Sequence, residues 1–407
     1  MHILLIHQAF TALDEAGGTR HFELAQYLIQ KGHRITVITS PVSYLTGKSK
    51  LDSPRWVVQE NPIQGMTVLR TYTYPAIHRS FFHRIFSFIS FMVSSFLVGL
   101  NVKDVDMVWG TTPPIFQCMT ALLLARIKRT PFLMEVRDLW PAFAIAVGVL
   151  KNKLIIGASN CLEKFLYKNA DTVMVNSPGY LSHVRQKGAK NVQLVPNGVN
   201  PSMFSPLSTG ELTRRKYNLL NKFIVLYTGA FGLSNDLSII LQAAQILKDQ
   251  TSISFVLVGD GKEKSNLLSY SEELGLSNVL FLPPVAKKEM EDIFAASNLC
   301  IAILKPVELY KTTYPNKVFD YMAAGRPVLC AIDGVIRKVI EDGKAGIAVP
   351  PGDPQKMSEA ILQLFHSPDE ASRMGQSGRS YVEKYFNRAD TANQLEVIMN
   401  NMRRSNG

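Results

Sequence analysis

Two successive Rossmann-like α/β domains with a cleft between them are the architecture this sequence predicts, and three observations point to it. The chain has 407 residues, too many for one ordinary core and right for two domains of roughly 200 residues each. Short apolar runs alternate with amphipathic stretches, as in parallel sheets with crossover helices. A Pro-, Asn- and Gly-rich break, Val195–Pro206, interrupts that rhythm midway and suits an interdomain linker. Ligands of such sheets bind at the carboxyl ends of strands.

The first domain is expected over 1–195. It opens with a strand, His2–His7, which has neither a basic leader nor a small-residue cleavage site and so does not read as a signal peptide. A cytoplasmic location follows as an expectation. A helix near Arg20–Lys31, ended by Gly32, leads to a strand at Ile35–Thr39. Later strands read at Asp106–Gly110, Pro131–Val136 and Thr172–Ser177. The second domain, 196–385, repeats the pattern: a strand at Phe223–Gly229, a helix through Ile239–Lys248, and a strand at Ser254–Gly261 ending in a glycine turn. Further strands fall at Asn278–Val285, Leu299–Leu304, Pro327–Ile332 and Ala345–Pro350. Helices read at Gln355–Phe365 and Ala371–Tyr385, and a last helix over 386–407 is expected to pack back on the first domain.

Composition is that of a globular protein, 46% apolar and 19% charged. The four cysteines form no Cys-x-x-Cys pair, and Cys300 and Cys330 sit in apolar strands, which disfavours zinc or a disulfide framework. The net charge of +11 is uneven. Met1–Val195 holds 21 Lys+Arg and 11 Asp+Glu, net +10, which leaves 23 and 22, net +1, for the rest. The first half therefore expects an anionic partner: a membrane surface or a phosphate-bearing substrate. Nucleic acid is not expected, because no recognition helix, basic run or aromatic RNA-binding pattern is present.

Phe81–Leu100 contains 13 apolar residues out of 20, six of them Phe. His83, Ser87, Ser90 and Ser94 recur at helical spacing and draw a narrow polar stripe. The pattern alone fits a helix lying on an anionic membrane and equally a helix of the core; the +10 excess of the same half favours the membrane. It does not fit a span, because strands of one sheet precede and follow it.

Gly17-Gly18-Thr19-Arg20 falls between the first strand and first helix, where backbone N–H groups and a helix N-terminus favour an anion. Two glycines also make a plain loop, and the absence of Gly-x-Gly-x-x-Gly argues against a dinucleotide site. Leu257–Gly261 fits either close passage of a nucleotide or an ordinary strand-to-helix turn. The stretch Tyr314–Val328 is the most informative. Pro315 suits a helix start, and Lys317 and Asp320 then fall on one face. A cation and a carboxylate there could hold a diphosphate and a ribose diol; the same spacing fits a surface ion pair. Asp104 and Asp106 match an Asp-x-Asp pattern but precede a strand, so a solvated turn is the better reading and no metal is expected. His2 and His7 read as strand residues with local hydrogen bonds.

Taken in order, the segments GGTRHFELAQYL, TTPPIF, EVRDLWP, VNSPGY, VPNGV, YTGAFGLSNDL, LVGDG, PNKVFDYMAAGRPV and VPPGDP resemble family four glycosyltransferases. Within that family they resemble the bacterial O-antigen and capsule branch that includes N-acetyl-L-fucosamine transferases. The resemblance implies a GT-B fold, metal-independent transfer, and no cofactor, a UDP-sugar serving as donor substrate. It implies an N-acetylated hexose or deoxyhexose, a lipid-linked saccharide acceptor, and work at the inner face of the cell membrane. The second acidic position of the family's Glu-x7-Glu motif falls on Asp320, implying a ribose contact, whereas the first falls on Thr312. Thr312, Thr313, Tyr314 and Pro315 are implied to offer backbone N–H groups to the donor. Asn316, Gly229, Gly259, Gly17 and Gly18 complete the donor-binding set. The family's Arg and Lys after the first strand of the second domain are missing, which makes Lys317 the candidate cation on the leaving group. The family's first-domain histidine falls near Arg137, so Arg137 and Asp138 are the catalytic-loop candidates. The same fold also houses sugar-nucleotide epimerases, and the missing Arg, Lys and Glu leave room for an inactive carbohydrate- or lipid-binding scaffold.

Overall fold

A computed structural model of the chain describes residues 1–43, 46–53, 55–75 and 81–404. The chain divides into two compact units. One comprises Met1–Ala12, Gly18–Pro196 and Ala389–Gly407; the other comprises Leu13–Gly17 and Asn197–Arg388.

The first unit is built on eight strands: β1 (His2–Ile6), β2 (Arg34–Thr39), β3 (Val57–Ile63), β4 (Met66–Thr71), β5 (Met107–Thr112), β6 (Phe132–Val136), β7 (Thr172–Val175) and β8 (Val192–Leu194). Their order is β3-β4-β2-β1-β5-β6-β7-β8. All neighbours are parallel except β3 and β4, and Leu5 at the centre lies between Val37 and Trp109. The central strands are buried throughout, as parallel strands covered on both faces must be. Strands β3, β4 and β8 escape sequence reading. β3 (VVQENPI) is the edge strand, mostly exposed, and carries a proline that only an edge tolerates.

The second unit has a six-stranded parallel sheet: β9 (Phe223–Thr228), β10 (Ile253–Val258), β11 (Val279–Leu282), β12 (Leu299–Ile303), β13 (Val328–Ala331) and β14 (Gly346–Ala348), in the order β11-β10-β9-β12-β13-β14. Alternate residues serve opposite faces. Leu226, Val256, Cys300 and Cys330 enter one apolar cluster; Val225, Phe255, Ile301 and Leu329 enter the other.

The return of the chain to the first unit comes after Arg388, not at 386. Val199 N–H donates to Phe386 O and Arg388 N–H to Val199 O, which keeps those residues in the second unit. From Ala389 onward the helix Arg388–Arg404 belongs to the first unit: Glu396 pairs with Lys31 at 3.0 Å and His33 at 3.1 Å, and Gln394 donates to Leu194 O.

The helix Phe81–Leu100 is turned the other way from an ordinary surface helix. Its polar stripe faces the protein: Ser87, Ser94 and Ser95 are buried. The Ser94, Ser95 and Ser90 hydroxyls bond to the protein, whereas Ser87 Oγ is buried with no partner among the described residues. Ser94 Oγ donates to Tyr72 O at 2.6 Å, Ser95 Oγ to Met92 O at 3.2 Å, and Ser90 Oγ accepts from Tyr74 N–H. The apolar arc points outward, and only 28% of the Phe82–Leu100 window is buried, so the core reading fails.

Candidate active site

In the second unit the polar groups gather at the carboxyl end of β9. Gly229 follows the strand with φ 134°, and a side chain there would come within 2.9 Å of Lys317 Nζ. On Gly259, at φ 158°, a Cβ would run into the Gly229 carbonyl oxygen. Both positions need glycine because two strand ends and a lysine head converge in one place.

The helix Asn316–Ala323 starts beside this turn, with Pro315 at its N-cap and no side chain capping it. Its first N–H groups, on Asn316 and Lys317, have no acceptor within the helix. Among the described residues Asn316 Oδ1 is buried without a partner, and so is Asn197 Oδ1, whose Nδ2 donates to Tyr314 O at 2.6 Å. The loop before the helix offers fewer donors than expected. Thr313 N–H is spent on Tyr310 O, Thr312 Oγ1 donates to Leu309 O, and Pro315 has no N–H to give. Thr313 and Pro315 thereby drop out as N–H donors, while Tyr314, Asn316 and Lys317 keep theirs.

Lys317 and Asp320 do not form the surface pair that their spacing allowed. Lys317 Nζ donates to the Tyr227 hydroxyl at 2.8 Å and lies 3.9 Å from the centre of that ring. The Tyr227 hydroxyl passes its own proton on to Ala230 O. Among the described residues Lys317 therefore meets a phenol and a π face but no carboxylate, and burial drops its pKa to about 7. Asp320 is held instead by Lys287, at 2.5 Å, with both side chains mostly buried. Sequence reasoning missed Lys287: Lys287-Lys288 reads as a solvated loop, and nothing local marks one of the two as inward.

In the first unit, a second polar cluster forms where β1, β5 and β6 end. Glu135, the fourth residue of β6, is fully buried between Arg20 Nε at 3.0 Å and His21 Nε2 at 2.5 Å. Burial alone would raise the Glu135 carboxyl, but His21 and the permanent charge of Arg20 hold it below the usual carboxylate range. Burial pushes His21 down to about 4, so it is a neutral donor to an ionised Glu135. Arg20 also donates to Val195 O and Pro196 O, both at 2.8 Å, tying the first helix to the exit of the unit.

Arg137 follows β6. Its Nε donates to Thr112 O at 2.7 Å and Thr111 Oγ1 at 2.9 Å, and Nη2 lies 3.0 Å from His7 Nε2. His7 is thus a correction: its bond reaches 130 residues along the chain rather than staying local. Burial, reinforced by His21 and Arg137, keeps His7 neutral, with Nδ1 buried and without a partner among the described residues. Asp138 comes next. It is half-buried by surface area yet crowded on all sides, and this desolvation, partly offset by Arg137, raises its carboxyl to about 6. It remains ionised near neutral pH, with a proton affinity suited to a base.

Gly17 and Gly18 are both exposed; Gly17, at φ 146°, groups with the second unit, and a side chain on Gly18 would meet open space. Asp106 is structural: Oδ2 accepts from His2 N–H at 2.7 Å and Oδ1 pairs with Arg403 at 3.3 Å. Asp104 sits in a left-handed turn.

These clusters lie inside two recognisable domains. Residues 16–198 match the glycosyl transferase 4-like domain, and residues 222–367 match glycosyl transferases group 1. The chain carries two glycosyltransferase-family domains. This glycosyltransferase is 25% identical over 321 residues to WcaI of Escherichia coli, named as a colanic acid biosynthesis glycosyl transferase, with 74% of this chain and 76% of the other aligned. It is 24% identical to the O-antigen chain mannosyltransferase C of Escherichia coli, over 58% of this chain and 62% of that one. Among solved structures, the sucrose-phosphate synthase of Thermosynechococcus elongatus superposes with a TM-score of 0.80 at 20% identity, covering 99% of both chains. HepE of Anabaena, solved with UDP and glucose, gives 0.74 at 17% identity over 98% of this chain and 100% of its own. The fold is GT-B.

Proposed function

We propose that this glycosyltransferase moves a sugar from a UDP-sugar to a lipid-linked saccharide during assembly of a surface polysaccharide. The observation that carries the reading is Lys317, a largely buried cation with no carboxylate partner among the described residues, set among glycine turns and the open N–H groups of a helix start. Such a place favours a diphosphate. Support for the donor comes from HepE, whose solved complexes hold UDP with glucose, and UDP-glucose. The names of WcaI and the O-antigen chain mannosyltransferase support a polysaccharide role.

In this account the bond from the anomeric carbon to the β-phosphate oxygen breaks and UDP leaves with its electron pair. The charge that develops on that oxygen is met by Lys317 and the N–H groups of Asn316 and Lys317, without a metal in the step. Asp320, steadied by Lys287, accepts from the ribose hydroxyls. An acceptor hydroxyl forms the new bond to the anomeric carbon and gives its proton to Asp138, while Arg137 orients the loop. An N-acetylated hexose or deoxyhexose, as moved by N-acetyl-L-fucosamine transferases, is the sugar class we put forward. The site of action proposed is the cytoplasmic face of the cell membrane.

A thermal-shift screen of nucleotide sugars tests the donor. One UDP-sugar should stabilise the protein, by about 2.7 kcal/mol at a hundredfold excess over Kd. Stabilisation by no uridine nucleotide would overturn the reading.

A further inference from the structure

The outward face of the helix Phe81–Leu100 carries Phe82, Phe86, Ile89, Val93, Leu97 and Leu100, all exposed, Phe82 at 73% and Phe86 at 62%. Their spacing of three and four residues makes one unbroken row, running along a helix about 30 Å long at 1.5 Å per residue. Such a row is far from the single exposed apolar residues of an ordinary surface.

It does not stand alone. The helix Phe116–Lys128 runs alongside: Phe88 stacks on Phe116 at 5.9 Å and Thr120 Oγ1 donates to Met92 O at 3.1 Å. That helix exposes Leu123 and Ile127. On its other flank Arg126 donates to Asn169 O at the end of the helix Lys153–Asn169, which exposes Leu154 at 84% and Phe165. The apolar surface thus spans three adjacent helices of one domain.

Cations edge it. Lys103, Arg126, Arg129, Lys151 and Lys153 are exposed on these helices or next to their ends. Lys128 Nζ donates to Val102 O at 2.6 Å, just past the C-terminus of the first helix. No carboxylate lies within Phe81–Leu100. The domain as a whole carries the +10 excess counted over Met1–Val195.

The helix is long and apolar enough to cross a membrane. Crossing is nevertheless impossible. β4 before it and β5 after it belong to one sheet, β4 pairing with β2, β2 with β1, and β1 with β5. The helix can meet lipid only from the side.

We infer that these three helices form a docking face for an anionic phospholipid bilayer, with the row Phe82–Leu100 sunk into the interface and the flanking cations on the headgroups. Aliphatic and Phe side chains ringed by Lys and Arg are the composition of an interfacial helix. A protein interface would be expected to add Tyr, Trp and hydrogen-bonding groups, which the row lacks. The inference goes beyond the proposed reaction, because it holds whichever sugar is transferred. It would confine the enzyme to two dimensions, where a lipid-linked acceptor is concentrated.

Co-sedimentation of the full chain with vesicles tests it, using phosphatidylcholine alone and phosphatidylcholine mixed with phosphatidylglycerol. Binding should need phosphatidylglycerol and fall with salt. The exposed double variant Phe86→Ser/Val93→Ser should weaken it by about a hundredfold, two apolar side chains being withdrawn from the interface. Arg129→Ser/Lys153→Ser should weaken binding and its salt dependence while leaving the row intact. All variants should keep the wild-type melting temperature and donor-induced thermal shift, so a failure here is distinct from a failure of the proposed reaction. Equal binding by wild type and Phe86→Ser/Val93→Ser, or no binding to either vesicle, would overturn the inference. A dimer seen by light scattering and lost in Phe86→Ser/Val93→Ser, with no lipid binding, would assign the face to a second copy of the chain instead.

Discussion

Lys317 Nζ sits 2.8 Å from the Tyr227 hydroxyl and 3.9 Å from the centre of its ring, so a buried ammonium is held by a phenol and a π face rather than by an anion. A carboxylate in that place would neutralise the lysine and repel a diphosphate. Tyr227 fixes the head while leaving its charge to be satisfied by a ligand.

Replacing the lysine separates chemistry from fold. Lys317→Ala should lower kcat by ~10²–10³, the usual loss when a transition-state charge stabiliser is removed. Circular dichroism should remain that of the wild type. Turnover within a few-fold of wild type would remove Lys317 from the mechanism.

The lowered pKa gives Lys317 a pH signature. Its value of about 7 in the fold lies below the ordinary 10.5, so between these pH values the unfolded chain binds more protons and stability from this residue rises with pH. Donor binding has the opposite trend. The diphosphate needs the protonated form, so Kd should worsen by up to about tenfold per unit above pH 7 until the bound-state pKa is reached. Titration calorimetry in buffers of different ionisation enthalpy should show proton uptake near pH 8, absent in Lys317→Met. Donor binding without uptake in the wild type would contradict this.

Asp320 and Lys287 should behave as a unit. Asp320→Asn should raise the donor KM more than it lowers kcat, because a ribose clamp grips ground and transition states alike. Lys287→Met should act in the same direction, and the double variant should fall short of the summed effects. A change confined to kcat would move Asp320 into the chemistry.

Asp138 should show activity and stability moving in opposite directions. Its carboxyl is raised from 3.8 to about 6, so its contribution to stability is complete below 3.8 and is lost as pH rises through 6. Asp138→Asn should then be more stable than wild type near neutral pH while losing ~10²–10⁴ in kcat. The acid limb of the pH–rate profile, near 6, should vanish with it. An unchanged profile would exclude Asp138 as the base.

Glu135 is the structural counterpart. Its carboxyl is held low, so the stability it contributes is present at neutral pH and lost as pH falls. Glu135→Gln leaves Arg20 buried without its counter-charge and should cost about 3–5 kcal/mol in urea unfolding at pH 7. A cost under about 1 kcal/mol would mean that water reaches the pair.

The legible part of this molecule is the part written in local pattern. β1, β6, β9 and β10 are continuous apolar runs, and the helix starting at Asn316 announces itself through Pro315. The edge strand β3 is too polar to stand out, and its pairing with β4 is decided by the neighbour rather than by its own residues. Spacing could place Lys317 and Asp320 on one helix face. It could not find Tyr227 or Lys287, nor join Arg20 to Glu135 across 115 residues and His7 to Arg137 across 130. For Phe81–Leu100 the period revealed a polar stripe but not its direction. Serine hydroxyls can bond to carbonyls of their own helix, so a serine stripe can face inward where a charged one could not.

The central claim is that a sugar leaves UDP beside Lys317 and arrives on a lipid-linked saccharide. The most direct measurement is transfer of radiolabelled sugar from a panel of UDP-sugars to polyprenyl-diphosphate saccharides, run with EDTA and with Lys317→Met in parallel. The account predicts a labelled lipid product from the wild type, undiminished by EDTA and reduced ~10²–10³ in the variant. Conversion of the UDP-sugar to an epimer without acceptor, or turnover abolished by EDTA and restored by Mg²⁺ or Mn²⁺, would contradict it.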